Sequence, residues 1–386
     1  MTSPRMPAGQ QTVRRHNLSL VSRAVAEAPS SRTELAQRTG LTKATVSSLV
    51  DVLLAQGLLV EGAAPSARVG RPARPVSLNP DGPVALGIEI NVDYIAACLL
   101  NLPGTERGSR RLELDNRNRQ PSDVLHRVIE LCRSLRDELG APLIGAALAV
   151  PGVVGADQRV LRAPNLPGLT GVELGNQLAE ALGVAEVNVD NEANFGALGW
   201  LRSAPGAGSD FVYVSGEVGV GAGLVVDGQL FRGAGGFAGE LGHVVVDRDG
   251  PPCGCGGRGC LEQYAGQDVL LRAAGQPDPA GLLAAVTAGE PTAAKAVTQA
   301  GAALGVGLAS LLNVFDLPVV VLGGLYAQLF DQLSGPVRAE LDQRVLSGPG
   351  TALRPSELGA EAAVRGAAGA VLDRVLADPA AVIWST

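Results

Sequence analysis

Several features are missing from this 386-residue chain, and each absence excludes a class of protein. No run of 18 apolar residues occurs, so the sequence predicts no membrane-spanning helix and no membrane partner. The N-terminal segment carries charges but no apolar signal core, so we expect a cytoplasmic protein. Five cysteines do not suggest a disulfide framework, which is typical of small secreted chains. The length instead predicts two or three domains.

Positive charge is concentrated at one end of the chain. Residues 1–80 contain ten Lys or Arg and four acidic residues, a balance of +6 within a chain whose net charge is −7. The remainder therefore carries −13. A basic head on an acidic body indicates nucleic-acid contact at one end only, with a chance distribution of surface charge as the alternative.

The first eighty residues contain the helix-capping and turn residues that are typical of a winged helix-turn-helix. Ser31-Arg32-Thr33-Glu34 predicts a capping box, and Gly40 suits the left-handed end of the short helix that follows. Thr42 predicts the cap of a second helix, from Lys43 to about Gln56. Two helices joined by a short turn with glycine are typical of the helix-turn-helix. A helical hairpin used for protein contact is the alternative.

The start of the second helix is predicted to face bases in the major groove, since that is how this motif reads DNA. Two short strands follow, and the arginines of the loop between them suit phosphates or the minor groove. Useful affinity would require a dimer on a two-fold related operator. The predicted DNA-binding residues are Arg32, Thr42, Lys43, Ala44, Thr45, Ser47, Ser48, Arg68, Arg71 and Arg74.

The body of the chain predicts an α/β fold in two lobes. Buried strands are expected at Val84–Ile90 and Tyr94–Leu100, joined as a hairpin, and another at Leu143–Gly152. A strand over residues 187–194 turns polar at its end, where open α/β sheets bind ligands. Strands near Phe211 and Val319 and a glycine-rich turn over residues 215–223 complete a second, similar half. The pair suggests an actin-like, hexokinase-like (ribonuclease H-like) architecture.

One His and three Cys stand close together in the second half. Gly239-Glu240-Leu241-Gly242-His243 is followed by Cys253, Cys255 and Cys260, with glycines between them. Thiolates and imidazole are the ligands of structural zinc, and Cys₃His closes a tetrahedral site. We therefore predict structural Zn²⁺ on His243, Cys253, Cys255 and Cys260, with unliganded buried thiols as the alternative.

These motifs resemble the ROK family of repressors and sugar kinases over nearly the whole chain. The most specific match is Gly239-Glu240-x-Gly242-His243 with Cys253-x-Cys255-x₄-Cys260-Leu261-Glu262, and the winged head resembles the repressor branch. The resemblance implies that sugar hydroxyls are held by Asn165, Asn191, Glu192, Glu240, His243 and Glu262. For Glu240 and Glu262, support of the zinc site alone is the alternative role.

The resemblance also implies a division of the chain. The head is expected at 1–80, the first lobe at 81–193 plus about 366–386, and the second lobe, with the zinc site and an oligomerisation surface, at 194–365.

The segments that match the family's kinase machinery are altered. The family's Asp-x-Gly-x-Thr phosphate turn is Glu89-Ile90-Asn91-Val92-Asp93 here, and its Gly-Thr-Gly is Glu217-Val218-Gly219. Added carboxylates would repel a triphosphate by about 1 kcal/mol per pair in water, and more in a cleft. Glu192 stands where the family has its catalytic Asp, so no catalytic residue is expected.

The sequence therefore predicts a sugar-responsive DNA-binding repressor that is not an enzyme. The segment Glu89–Tyr94 resembles repressors of xylose utilisation, so xylose is the first candidate, with glucose or an amino sugar next. A homodimer or a dimer of dimers on operator DNA is expected. The alternatives are an active ATP-dependent sugar kinase with a DNA-binding head, and a repressor controlled by a partner protein.

Overall fold

The N-terminal head has the predicted winged helix-turn-helix architecture. The computed structural model describes residues 9–62, 74–204, 206, 208–348 and 350–383. The head comprises α1 (Gln10–Glu27), α2 (Arg32–Thr39), α3 (Lys43–Ala55), β1 (Leu59–Glu61) and β2 (Val76–Leu78). β1 and β2 pair antiparallel and form the base of the wing, whose loop lies outside the described residues.

Local hydrogen bonds explain where the helices of the head begin and end. Ser31 Oγ accepts from the Glu34 N–H at 3.3 Å, and Glu34 Oε2 accepts from the Ser31 N–H at 2.7 Å. This reciprocal capping box satisfies N–H groups that the first helical turn leaves free. Gly40 ends α2 at φ 71°, and Thr42 Oγ1 accepts from the Thr45 N–H to cap α3. The predicted caps are confirmed.

The first lobe is built on a five-stranded sheet with strand order β5-β4-β3-β6-β9. β3 and β4 are buried along their whole lengths and form the predicted hairpin, whereas β6 and β9 run parallel to β3. The elements are β3 (Val84–Ile90), β4 (Tyr94–Asn101), β5 (Glu106–Glu113), α4 (Pro121–Leu139), β6 (Leu143–Val150), β7 (Val153–Val154), β8 (Val160–Arg162), α5 (Leu174–Leu182) and β9 (Val187–Asn191).

The second lobe repeats this arrangement. Its sheet has the order β12-β11-β10-β13-β14, with antiparallel pairing among the first three strands and parallel pairing beyond β10. The two equivalent sheets confirm the predicted two-lobed α/β class. The remaining elements are α6 (Glu192–Ser203), β10 (Phe211–Gly216), β11 (Val220–Val226), β12 (Gln229–Phe231), α7 (Glu262–Ala265), α8 (Gln267–Ala274), α9 (Pro279–Thr287), α10 (Pro291–Phe315), β13 (Val319–Gly324), α11 (Leu325–Gln328), α12 (Phe330–Arg344), β14 (Ala352–Pro355), α13 (Ala362–Ala377) and α14 (Pro379–Ile383).

Two local predictions were wrong. The predicted strand over 187–194 ends at Asn191, because the Asn191 side chain accepts from the Ala193 N–H and starts α6. The predicted glycine-rich turn over 215–223 is mostly strand. β10 and β11 pair as far as Gly216 and Val220, and three residues form the turn. Glycine there serves close packing, since a Cβ on Gly223 would lie 2.5 Å from the Ala193 carbonyl oxygen.

Helices α6 and α13 pack backbone to backbone between the lobes. A Cβ on Gly366 would lie 1.8 Å from the Phe195 carbonyl oxygen, and one on Gly199 would lie 2.7 Å from that of Ala362. α6 packs on β10 and β11, while α13 packs on β3 and β6 and also contacts α1 of the head. One pair of helices therefore connects the two sheets to the head.

Among the described helices, α10 is long and apolar enough to cross a membrane by length and composition alone. Half of its most apolar window is buried inside the protein. It packs on α12, and Leu304 and Leu308 belong to the core of the second lobe. Its apolar composition is therefore accounted for by burial in that core.

Candidate functional site

The predicted zinc ligands converge. The ligand atoms of His243, Cys253, Cys255 and Cys260 all lie within 4.8 Å of one another. Cys255 Sγ lies 3.6 Å from Cys260 Sγ, and Cys253 Sγ lies 3.9 Å from His243 Nδ1. Three soft thiols and one imidazole nitrogen fit a tetrahedral Zn²⁺ site. The cluster could therefore hold a metal ion.

Tight turns bring these ligands together. Cys253 N–H donates to the Gly257 carbonyl at 2.9 Å, which closes the loop that carries Cys255. Gly259, at φ 65°, passes so close to Asp247 that a Cβ would lie 1.5 Å from its carbonyl oxygen. Only glycine fits this position, so Gly259 is a geometric requirement of the motif.

His243 has two ring edges with different surroundings. Its Nδ1 faces the thiol cluster, whereas its Nε2 lies 3.7 Å from Glu240 Oε2. Gly239, at φ 94°, and Gly242 hold this turn against β11, since Cβ atoms there would lie 1.9 and 2.3 Å from the carbonyl oxygens of Ala222 and Val220. The imidazole therefore connects the Cys₃His cluster to the space between the lobes.

A cavity of about 360 Å³ lies between the lobes and contains every predicted sugar-binding residue. Both lobes contribute to its wall, and its size and mixture of polar and apolar lining suit a small molecule. The predicted residues that line it are Asn165, Asn191, Glu192, Glu240, His243 and Glu262.

The polar side chains of the cavity are held at the ends of elements. Asn191, at the end of β9, donates to the Gly152 carbonyl at 2.9 Å and to Glu192 Oε2 at 2.8 Å. Glu192 and Glu262 are the first residues of α6 and α7. A Cβ on Gly219 would lie 2.4 Å from Glu262 Oε2, so the β10–β11 turn closes directly over this carboxyl.

Burial dominates the electrostatics of the cavity. Loss of hydration raises the pKa of Glu192 well above its ordinary value, and it also raises the pKa of Glu240 and Glu262. His243 opposes this effect at the last two. Buried carboxyls make strong hydrogen bonds with hydroxyl groups, because a carboxylate is a charged acceptor and a protonated carboxyl is a donor.

At the part of the wall formed by Asn91 and Glu217, here called the inner end of the cavity, the side chains beside Asn91 bond to one another. Glu89 is 1% exposed, and its Oε1 accepts from Tyr94 Oη–H at 2.6 Å and from Asn91 Nδ2–H at 3.2 Å. The guanidinium carbon of Arg111 lies 3.4 Å from the centroid of the Tyr94 ring. Glu89 also shares a smaller pocket with Glu192 and Glu217.

Asp93 and Glu217, the two carboxylates that the altered phosphate turns add, have different surroundings. Asp93 is paired with Arg117 at 2.5 Å, so much of its charge is neutralised. Glu217 lines the cavity, and burial, reinforced by Glu89, raises its pKa to about 8. The expected repulsion of a triphosphate therefore rests on Glu217 rather than on both residues.

The predicted DNA-binding residues fall into three groups. Thr42, Lys43, Ala44 and Ser48 are exposed at the start of α3, and Thr45 and Ser47 are half-buried beside them. Arg32 instead pairs with Asp51 and Glu61, both at 2.8 Å, and so ties α2 to α3 and β1. Arg74 is exposed, whereas Arg68 and Arg71 lie outside the described residues.

Comparison with known proteins agrees with this architecture. The ROK family model matches residues 85–374, and the MarR family model matches residues 23–71. The chain is 31% identical over 380 residues to the xylose repressor of Bacillus subtilis (strain 168), covering 96% of this chain and 98% of that protein. The chain belongs to the ROK family.

Both branches of the ROK family are represented among its relatives. A crystal structure of a ROK family transcriptional regulator, described as a homolog of the E. coli MLC protein, superposes with a TM-score of 0.79 at 24% identity and covers 97% of this chain and 98% of that one. The glucokinase of Thermotoga maritima is 31% identical over 276 residues, covering 66% of this chain and 86% of that protein. The winged head and the ROK body thus occur together here, as the sequence predicted.

Sequence reasoning missed several residues at the cavity. Arg162, at the end of β8, lines it and donates to the Cys255 carbonyl oxygen at 2.8 Å, which joins the first lobe to the Cys₃His loop. Phe237 also lines it. Asp190 is buried and pairs with Arg232 across the lobes. The polar end of the strand at 187–191 hinted at Asp190, but no pattern in the sequence indicated the partners.

Proposed function

We propose that this ROK protein is a transcriptional repressor of carbohydrate-utilisation genes whose DNA binding responds to a sugar. The observation that supports it best is the combination of a winged head with an interlobe cavity in which six predicted sugar-binding side chains meet. Its similarity to a xylose repressor along nearly the whole chain points the same way. Xylose is the first candidate effector, followed by glucose or an amino sugar.

The Cys₃His cluster would hold a structural zinc ion. Four protein ligands leave no open coordination position, so the metal would have no catalytic role. Its role is to fix the loop around Cys255 and the orientation of His243, whose other ring edge then serves the sugar together with Glu240.

We propose that phosphorylation of the sugar has been lost. Glu89, Asn91 and Tyr94 bond to one another where the family's phosphate turn would receive ATP, and Glu217 adds a buried carboxyl. An active sugar kinase remains the second candidate, because Glu192 occupies the position of the family's catalytic Asp and a glucokinase is among the relatives.

The helix pair α6–α13 offers a route from sugar to DNA. Asn191 and Glu192 lie at the start of α6, α6 packs on α13, and α13 contacts α1 of the head. Arg15 of α1 also pairs with Asp378, just before α14. Sugar that favours one lobe arrangement would move the heads of a cytoplasmic homodimer and change operator affinity.

Four measurements on the full-length protein test this function. Calorimetric titration with pentoses, hexoses and amino sugars should identify a ligand, and that ligand should raise the melting temperature. Operator binding should change when the same sugar is added. A coupled ATP assay should detect no turnover. Robust turnover would favour the kinase, and sugar-independent operator binding would favour control by a partner protein.

The start of α3 and the wing are expected to contact DNA. Replacing Arg71 or Lys43 by Ala should weaken operator binding and reduce the salt slope by about one unit for each lost phosphate contact. Arg32→Ala should instead lower the stability of the head, because Arg32 joins three of its elements. An unchanged slope in Arg71→Ala would count against wing contact.

A further inference from the structure

Phe237 is an aromatic side chain left exposed at the cavity between the lobes. Aromatic residues make up only 3% of the chain, and six of these twelve residues are buried in its core. Phe237 is 55% exposed, yet it lines the cavity that contains the predicted sugar-binding residues. Exposure of a scarce apolar ring beside a polar cavity suggests a ligand that covers it.

The loop that carries Phe237 is held in place from both lobes. Gly236, at φ 85°, lies against the first lobe, where a Cβ would be 2.4 Å from the Val154 carbonyl oxygen. The Ala238 N–H donates to the Arg232 carbonyl at 3.2 Å, and Arg232 pairs with the buried Asp190. The ring is therefore presented on a fixed support.

The ring pairs seen elsewhere among the described residues do not include Phe237. Trp200 packs on Phe211 with centroids 4.5 Å apart, and Phe231 packs on Phe315 at 5.5 Å. More than half of the surface of Phe237 is exposed, so another apolar surface could pack on it.

A pyranose sugar has two kinds of surface that match this cavity. Its rim of hydroxyl groups suits carboxyl and amide side chains such as Glu240, Glu262 and Asn165. Its ring faces consist of C–H groups when every hydroxyl is equatorial, as in xylose and glucose. An axial hydroxyl, as in arabinose or galactose, places oxygen on one face and would leave it without a hydrogen-bond partner against an aromatic ring.

We propose that Phe237 is a specificity-determining residue that stacks on the C–H face of a pyranose with equatorial hydroxyls. This inference rests on the proposed function and narrows it, because it selects xylose and glucose over their axial epimers. Polar residues then bind the rim of the sugar, while Phe237 reads the stereochemistry of its face.

Titration of the full-length protein with xylose, glucose, arabinose and galactose tests the proposal. Phe237→Ala should weaken xylose or glucose binding by about tenfold or more, since it removes an aromatic ring that the bound sugar would cover. It should also reduce discrimination against arabinose and galactose. Phe237→Trp should keep most of the affinity, whereas Phe237→Leu, apolar but not flat, should resemble the Ala variant.

Phe231→Ala is the matched control, because Phe231 is an exposed aromatic residue outside the cavity wall. Unchanged sugar affinity in Phe237→Ala, or full affinity in Phe237→Leu, would overturn the role of stacking. If Phe237→Ala changed the mass of the oligomer in solution but not the sugar affinity, Phe237 would belong to a subunit contact. That result would also overturn the stacking role. If the wild-type protein binds no sugar, the proposed function itself fails.

Discussion

The two ends of the interlobe cavity contain similar residues but use them differently. At the outer end, Glu240, Glu262 and Asn165 line open space beside His243. At the inner end, Glu89, Asn91 and Tyr94 bond to one another. Polar groups that face open space can bind a ligand, whereas groups that satisfy one another fill space. This difference supports the proposal that the cleft binds a sugar but not a nucleotide.

The outer end should depend most strongly on the Cys₃His cluster. Cys255→Ser should lose bound zinc and sugar binding together, because Cys255 lines the cavity and belongs to the cluster. Zinc content by elemental analysis and sugar affinity by calorimetry measure both effects. Cys132→Ala is the control, since Cys132 is buried in the first lobe and should leave zinc in place. Normal sugar affinity in a variant without zinc would show that sugar binding in the cavity does not depend on the Cys₃His cluster.

A single carboxyl at the outer end should have a smaller effect. Glu240→Gln keeps the shape of the side chain but removes a charge-assisted hydrogen bond, so sugar affinity should fall by about 10- to 100-fold. Titration of the exposed Glu130→Gln variant of α4 provides the comparison. Equal affinities in the two variants would mean that Glu240 does not contact the sugar.

Glu217 at the inner end should make the folding stability of the protein depend on pH. Glu217 keeps its proton in the folded state up to about pH 8, whereas the unfolded chain releases it near 4.5. Between these pH values the folded state therefore binds more protons than the unfolded state. The contribution of Glu217 to the free energy of unfolding thus falls as the pH rises through this range. Glu217→Gln should therefore be more stable than wild type, by an amount on the order of a few kcal/mol that grows up to about pH 8.

Denaturant unfolding across this pH range measures the effect, with Glu130→Gln as the control. The charged or titratable groups that act on Glu217 are Glu89, Arg111 and Asp93. A stability difference that does not change with pH would show that Glu217 is not held protonated, and the contrast between the two ends would weaken.

Residues with a strong local signal could be predicted from the sequence. The caps at Ser31 and Thr42 are formed by hydrogen bonds within three residues, and the Cys₃His spacing is compact enough to imply convergence. The six predicted sugar-binding residues could be expected to meet only through the family resemblance, because they come from distant segments of both lobes.

Contacts between distant segments could not be predicted, because no local pattern in the sequence indicates them. The pairing of Arg162 with the Cys255 carbonyl joins residues more than ninety positions apart. The pair Asp93–Arg117 is also long-range, and without it Asp93 looked like a free charge. Asn191 ended a strand earlier than predicted because its side chain caps α6, a choice that depends on the local backbone geometry rather than on hydrophobic pattern.

The contact between α6 and α13 has a consequence for engineering. Because Gly199 and Gly366 bring backbone against backbone, a larger side chain at either position would push the two helices apart. The residues proposed to recognise the sugar, such as Phe237 and Glu240, line the cavity and lie outside this contact. Substitutions in the cavity wall can therefore change its shape and chemistry while the contact that connects both sheets to the head stays intact, and this separation suits the design of variants with other ligand preferences.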